Sequence, residues 1–514
     1  MHCRFFLIIL LSFIILACDD TPPPERKSVE QLGLEAEHKI FRFAGKPFPL
    51  GLDWLNVSRP LTLDDIKGRI VILDFWTYGC INCFHANAKL KKIKQQYQDK
   101  VLIISVHVPK FENEKNLKTL AKNLIRYEMH HPVLNDIDRQ LAKAYQVKAW
   151  PSFVILDKQA RIVGKTVGES RVWLIKKAIV KLMTEEEDNP EPSPIPLFLE
   201  KNKTSDLLLS PSKIAINKAF VAISDSLHHR IILASHAGKI LRIYGTGQAG
   251  FIDGSPNKVQ FNQPQGLAFA DNGLYIADSA NHRLRFINFK TQQTLTVAGG
   301  GQSMDLLYPF DPPMDAKTTA LSSPFDLVVK DEDLYIAMAG RHQIWKFHRP
   351  SHKINIYAGA SGEGIKDGDI DKATFSQPMG LSLFNHLLWV ADAESSSIRQ
   401  INLKTKKVTT LIGTGLFYFG DQDGAFKQAK LQHLSAIKPL NKNKLLIADT
   451  YNHKIKLADL KTQQIETLID QPILNEPADI VVMDQTLLIV DTNHNRIMQY
   501  WFKTKKLIPW RLFE

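Results

Sequence analysis

The sequence predicts a multidomain chain: an α/β layer sandwich over residues 40–184, then an all-β six-bladed propeller over residues 206–514. Three observations predict it. In the first part, near-continuous apolar runs alternate with segments of helical periodicity, the pattern of sheet strands covered on both faces. In the second, short strands separated by Gly and Asn/Asp turns carry a motif that recurs at intervals of roughly 40 to 60 residues, about one propeller blade. Between them, residues 185–205 are acidic and proline-spaced, too poor in apolar residues to bury a core, and should run extended.

The elements of the first part follow in order. Ile70–Phe75 and Val101–Val106 read as buried strands, and Ala86, Leu90, Ile93 and Tyr97 recur between them at helical spacing. Leu117, Leu120, Ala121 and Leu124 mark a second helix, His131–Leu134 a short strand, and Leu141–Tyr145 part of a third helix. Ser152–Leu156 and Ile162–Gly164 read as a hairpin, followed by an amphipathic helix over Val172–Met183. In the second part the strongest repeats are Leu274–Arg283 and Leu445–Lys454, both ending Asp-(Ser/Thr)-x-Asn-His-(Arg/Lys). Asp225, Asp278, Met338, Asp392, Asp449 and Asp491 mark the six copies; the copy at Met338 has lost the aspartate. Histidines recur near one turn, at 229, 282, 453 and 494. They read as filling the same local role as the Asp, Asn and Arg or Lys that fix the turn, rather than as a metal ring. Glycine-rich loops at 250–254, 364–368 and 420–424 connect blades and are the expected binding elements.

The 514 residues carry 65 basic and 53 acidic side chains, a net charge of +12, with the lysines scattered rather than in one block. That describes a solvated basic surface and gives no argument for nucleic-acid binding. At the N-terminus, Arg4 and the apolar run Phe5–Leu16 form a signal too short for an ordinary span of ~20 residues. Ile15-Leu16-Ala17-Cys18 resembles the lipobox of bacterial lipoproteins, which implies a signal peptide over 1–17, a lipid on Cys18 and a polar tether over 18–39. By the same resemblance, Asp19 implies retention at the inner membrane of a Gram-negative envelope.

Cleavage would remove Cys3 and lipidation would occupy Cys18, so the mature chain would have two free thiols, Cys80 and Cys83. Cys80 stands where a strand meets a helix N-terminus, whose unpaired N–H groups and positive dipole end stabilise a thiolate. Cys83 lies one turn deeper, placed to resolve a mixed disulfide formed on Cys80. Ile81 and Asn82 add no positive charge. A zinc site would need two more ligands, with His85 the one local candidate, and haem attachment would need histidine where Phe84 stands. No metal or cofactor is expected.

Asp74-Phe75-Trp76-Thr77-Tyr78-Gly79-Cys80-Ile81-Asn82-Cys83 resembles the active-site segment of the thioredoxin superfamily, and the extra helix and strand over 111–136 resemble its membrane-anchored periplasmic branch. The resemblance implies a thioredoxin-like fold with Cys80 and Cys83 catalytic. It also implies that Asp74 assists proton transfer at the resolving thiol, that Trp76 packs beside the site, and that Pro151 is a cis-proline facing the sulfurs. The usual Gly-Pro between the cysteines is absent. The repeats resemble NHL repeats, and the combination resembles the family of NHL-repeat-containing protein 2 and its bacterial relatives. The expected function is a membrane-anchored envelope thiol–disulfide oxidoreductase facing the periplasm. Its partners would be a protein thiol or disulfide substrate and a redox partner protein, with the propeller as protein-binding platform. The alternatives are a non-catalytic scaffold with a vestigial redox domain and, last, a propeller hydrolase or lyase, for which residues 206–514 offer no catalytic cluster.

Overall fold

The computed structural model describes residues 42–185, 190–199, 206–270, 272–301, 310, 312–470 and 472–514. The expected signal peptide, Cys18 and the whole tether lie outside them. Residues 43–514 form one compact unit.

The first part is one mixed sheet with helices on both faces. Its strands are β1 (Phe43–Ala44), β2 (Trp54–Leu55), β3 (Ile70–Trp76), β4 (Val101–His107), β5 (Val133–Asn135), β6 (Ser152–Leu156) and β7 (Arg161–Val167), in the order β1-β7-β6-β3-β4-β5-β2. Central strand β3 pairs parallel to β4 and antiparallel to β6. Every residue of β3 and β4 is buried, because both faces are covered. Val71, Leu73 and Phe75 enter one core with Ile66, Leu141 and Ala142 of α1 (Leu63–Ile66) and α4 (Gln140–Ala144). Ile70 and Ile72 enter the other, against Ala86, Leu90 and Ile93 of α2 (Ile81–Tyr97) and Ile175 and Ile179 of α5 (Val172–Thr184). A further helix, α3 (Leu117–Arg126), is N-capped by Asn116.

Past α5, the described part of the linker runs extended along this domain. Ser58 N–H donates to Pro196 O at 2.9 Å and Phe198 N–H to Asn56 O at 3.0 Å. Gly68, at φ +81°, lies so close that a Cβ there would sit 2.6 Å from Pro190 O, so only glycine lets the proline segment dock.

Six antiparallel meanders follow, each from contiguous sequence. In three of them a short fifth strand from the incoming connection pairs with the outermost strand. The repeated motif is the joint between blades. Its aspartate accepts from a backbone N–H at the start of its own blade, as Asp225 does from Leu209 (2.6 Å) and Asp449 from Gln432 (2.8 Å). The following Ser or Thr donates to the proline carbonyl opening the next blade: Ser226 to Pro264 (2.6 Å), Thr450 to Pro477 (2.9 Å) and Thr492 to Pro211 (2.8 Å). The histidine also joins blades. Nδ1 of His229, His282, His342 and His453 accepts the N–H of Gln263, Ser323, Gln377 and Glu476 in the next blade, at 2.9–3.2 Å. Ser396 and Asn495 do the same in the other two blades, toward His433 and Ser210. This corrects the local turn role expected for these histidines. His342 belongs to the set, and His494 does not; it bonds Asp491 within its own turn at 3.0 Å.

The Asn495–Ser210 bond also closes the ring, with Ile240 N–H donating to Phe513 O of the C-terminal tail at 2.7 Å. The glycine-rich loops are structural as well. Asp253, Asp367 and Asp423 tie them to the outer strands through Thr296, Thr410 and Thr467 and to buried Arg285, Arg399 and Lys456.

Candidate functional site

Cys80 is the N-cap of α2, directly after the β3 end and the turn Thr77-Tyr78-Gly79. Its sulfur accepts the Cys83 N–H at 3.3 Å, and the cap is followed by a first turn free of acidic residues. Cys80 is half-buried and Cys83 buried, neither in a disulfide. Burial raises the Cys83 thiol well above its ordinary range, and the adjacent Cys80 adds to it. Cys83 packs with Trp76, Tyr78 and Phe111 in a cluster that Cys80 and Trp150 border. Trp76 is held edge-on to His107 at 5.4 Å, and Tyr78 stacks on the same ring at 5.5 Å. The Trp150–Pro151 bond is cis.

Asp74, 2% exposed, lies beneath the pair on β3 and adds its charge to the upward push on Cys83. Burial pushes its carboxyl up to about 7, opposed by a hydrogen bond from Ser105. Ser105 Oγ donates to Asp74 Oδ2 at 3.0 Å and stands 2.7 Å from Nε2 of half-buried His131, while Asp74 Oδ1 has no partner among the described residues. Asp74, Ser105 and His131 thus form a hydrogen-bonded chain leading from the buried carboxyl outward, in which burial pushes the His131 imidazole down to about 3.

The turn carrying Cys80 is clamped from two sides. From within the domain, buried Glu114 accepts from Thr77 Oγ (2.5 Å) and from the N–H groups of Gly79 (3.1 Å), Lys110 (2.6 Å) and Phe111 (3.1 Å). Its carboxyl is pushed up to about 7 by burial. From the propeller, Gln377 Nε2 donates to Gly79 O at 2.7 Å and Gln377 Oε1 accepts from Ile81 N–H at 2.8 Å. His433 Nε2 approaches the same Gly79 carbonyl at 3.3 Å. A Cβ on Gly79 would sit 3.0 Å from Glu114 Oε1 and 3.2 Å from His433 Nε2, so any larger residue would have to push these side chains aside by a few tenths of an ångström.

Gln377 and His433 belong to a ring with one member per blade: Ser210, Gln263, Ser323, Gln377, His433 and Glu476. All stand before the innermost strand at φ between +47° and +64°, and all six touch the thioredoxin-like domain. Ser323 Oγ meets His85 Nε2 at 2.7 Å. Arg126, on α3, reaches Ser210 (3.3 Å) and Glu476 (3.2 Å), and its carbonyl accepts from Gln263 at 3.5 Å. The variable position of the repeat motif faces the same way. Glu394 pairs with Lys110 at 2.8 Å, Tyr451 meets the rings of Phe111 and Tyr78 at 5.5 Å, and Asn493 bonds Arg126. Much of this contact comes from Lys110–Arg126, in the segment read above only as an extra helix and strand. A cavity of about 810 Å³ remains along the propeller axis beneath the domain, with Gly79, Ile81, His85, Gln265, Phe325 and Met379 among its lining.

Sequence reasoning located Cys80, Cys83, Asp74, Trp76 and Pro151, which the fold brings to one end of β3. It missed Glu114, Ser105, Arg126 and the ring. The ring leaves one signal, a polar residue before a proline in most blades. Among the described residues, no group of three His, Cys, Asp or Glu is gathered as a metal site.

A thioredoxin-like family profile matches residues 68–162 and an NHL-repeat profile residues 261–285. By fold, the molecule is a thioredoxin-like domain joined to a six-bladed NHL propeller. NHL repeat-containing protein 2 of Gallus gallus is 34% identical over 543 residues, which cover 95% of this chain and 74% of that protein. The chain belongs to the NHL repeat-containing protein 2 family. Protein SUPPRESSOR OF QUENCHING 1, chloroplastic, of Arabidopsis thaliana is 34% identical over 88% of this chain and 46% of its own length. Thiol-disulfide oxidoreductase YkuV of Bacillus subtilis is 22% identical over 26% of this chain and 90% of its own length.

Proposed function

We propose that the chain is a thiol–disulfide oxidoreductase with Cys80 as nucleophile and Cys83 as resolving thiol. The observation that carries the reading is the asymmetry of the pair: a half-buried sulfur capping a helix, beside a buried thiol whose pKa is raised. In the reducing direction the Cys80 thiolate attacks a substrate disulfide. The substrate S–S bond breaks, one substrate sulfur leaves as thiolate and takes a proton, and a mixed disulfide forms on Cys80. Cys83 then gives its proton to the Asp74 carboxylate and attacks the Cys80 sulfur. The second substrate thiolate is released and the two electrons end on the substrate. A dithiol redox partner attacks the Cys80 sulfur and restores the pair, and Asp74 returns its proton to the Cys83 thiolate released in that step. Trp76 packs with Cys83, and cis-Pro151 directly precedes Ser152, which pairs with Phe75 at the end of β3. The same steps reversed oxidise a substrate dithiol.

Exchange with a model dithiol such as dithiothreitol tests this. Cys80→Ser should abolish it, and unchanged exchange in that variant would remove the reading. A second reading, a scaffold with a silent dithiol, draws on the burial of Ile81 and Gly79 against the propeller. A pair that stays in one redox state in living cells would favour it. We further propose that a lipid on Cys18 holds the chain at the envelope membrane facing the periplasm, the inner membrane where the envelope is Gram-negative. Labelling by a fatty-acid precursor should then be lost in Cys18→Ala.

A further inference from the structure

We propose that Gln377, a propeller residue, is a positioning residue of the dithiol site: its side-chain amide holds the peptide groups on both sides of Cys80 and so fixes the nucleophile at the helix N-terminus. The inference rests on the oxidoreductase reading above for its catalytic consequence. Its geometry stands on its own.

Gly79 O and Ile81 N–H flank Cys80, and a primary amide offers one donor and one acceptor at matching spacing. Gln377 uses both, at 2.7 and 2.8 Å. Only one orientation of the amide satisfies both bonds, so its oxygen faces Ile81. Ile81 N–H is the first orphan donor of α2, and in a site closed by the propeller an unpaired N–H there would cost the desolvation of a buried polar group. Gln377 is 3% exposed and itself rigid. Its N–H donates to His342 Nδ1 of the preceding blade at 2.9 Å and its carbonyl accepts from Ala393 of its own blade at 3.1 Å, so the clamp's backbone is anchored at both ends of the peptide. Of the other charged or titratable groups around the turn, Glu114 takes the Gly79 N–H, Lys110 pairs with Glu394, and His433 lies 3.7 Å from Glu394 and 3.3 Å from the Gly79 carbonyl that Gln377 also holds. None of them contacts Ile81 N–H. The equivalent residue of blade two, Gln263, directs its side-chain amide to the Arg126 carbonyl and serves as an internal control.

The test is the pH profile of Cys80 alkylation by iodoacetamide in the purified full chain, read at the Cys80 peptide by mass spectrometry, alongside disulfide-exchange turnover. Gln377→Glu keeps the size and the acceptor but brings a negative charge beside the thiolate, and should raise the alkylation midpoint by about one pH unit. Gln377→Met removes both hydrogen bonds and should lower turnover about tenfold, the rate equivalent of one to two hydrogen bonds. Gln263→Met should leave both readouts unchanged. Wild-type midpoint and turnover in both Gln377 variants would overturn the proposal, and should the Met variant fail to fold, the near-isosteric Glu variant decides. A shifted midpoint in a chain whose wild type shows no exchange would support the positioning role and remove the oxidoreductase reading instead.

Discussion

Asp74 shows how a single buried carboxyl couples stability to chemistry. Its ordinary pKa is ~3.9, and burial pushes it up to about 7. Below pH ~4 the carboxyl is protonated in folded and unfolded chains alike, and its burial costs least. As pH rises through about 7 the folded group ionises without a cationic partner, and that stability is lost. Asp74→Asn, neutral throughout, should therefore match the wild type in denaturant unfolding at pH 4 and exceed it at pH 9 by on the order of 4 kcal/mol. Equal stability at both pH values would show that Asp74 is not the perturbed group. The same substitution should slow resolution of the mixed disulfide at neutral pH, since Cys83 would lose its proton acceptor. Asp74, with Trp76 and the dithiol, is legible in the sequence because each sits at a fixed distance from the end of one apolar strand. Ser105 and His131 are not, since only the pairing of β3 with β4 and β5 brings them together.

At the level of the blade, the motif is an inter-blade joint, and its one defective copy is instructive. In three blades the aspartate pairs with a buried cation seven residues on: Asp278 with Arg285, Asp392 with Arg399 and Asp449 with Lys456, at 2.8–3.5 Å. In blade three both members are replaced together, by Met338 and Trp345, each fully buried. Ser322 N–H, which an aspartate would accept, instead meets the Met338 sulfur at 3.4 Å. Exchanging a buried ion pair for apolar groups of similar volume costs little, whereas restoring one charge alone leaves it unpaired. Met338→Asp should thus destabilise the chain by about 3 kcal/mol. The double change with Trp345→Arg should recover more than half of that in the same thermal melt. The strands and the repeat are plain from the sequence, but the histidine's role is not. His282 looks like part of its own turn because its hydrogen-bond partner, Ser323, lies 41 residues away in the next blade.

At the scale of the whole molecule, the propeller face that looks free in the sequence is occupied by the chain's own thioredoxin-like domain. The contact joins residues about 300 apart, such as Gly79 and Gln377, with a separation of 298. Local pattern does not distinguish Gln377, which meets the dithiol turn, from Gln263, which does not. The variation among repeats does carry the signal: where the motif is constant it builds the ring, and where it varies, at Glu394, Tyr451 and Asn493, it meets the other domain. A dithiol turn held by both parts leaves Cys80 half-buried, with Cys83 buried behind it. The most direct test is a Cys83→Ser trap in the native cell, with mixed disulfides resolved by non-reducing electrophoresis and the bonded cysteine mapped by mass spectrometry. A reducible adduct joining Cys80 to a cysteine of a second protein, absent when Cys80 is also changed to Ser, is the predicted result. No adduct on Cys80, in cells where the wild-type pair also never changes redox state, would contradict a catalytic dithiol.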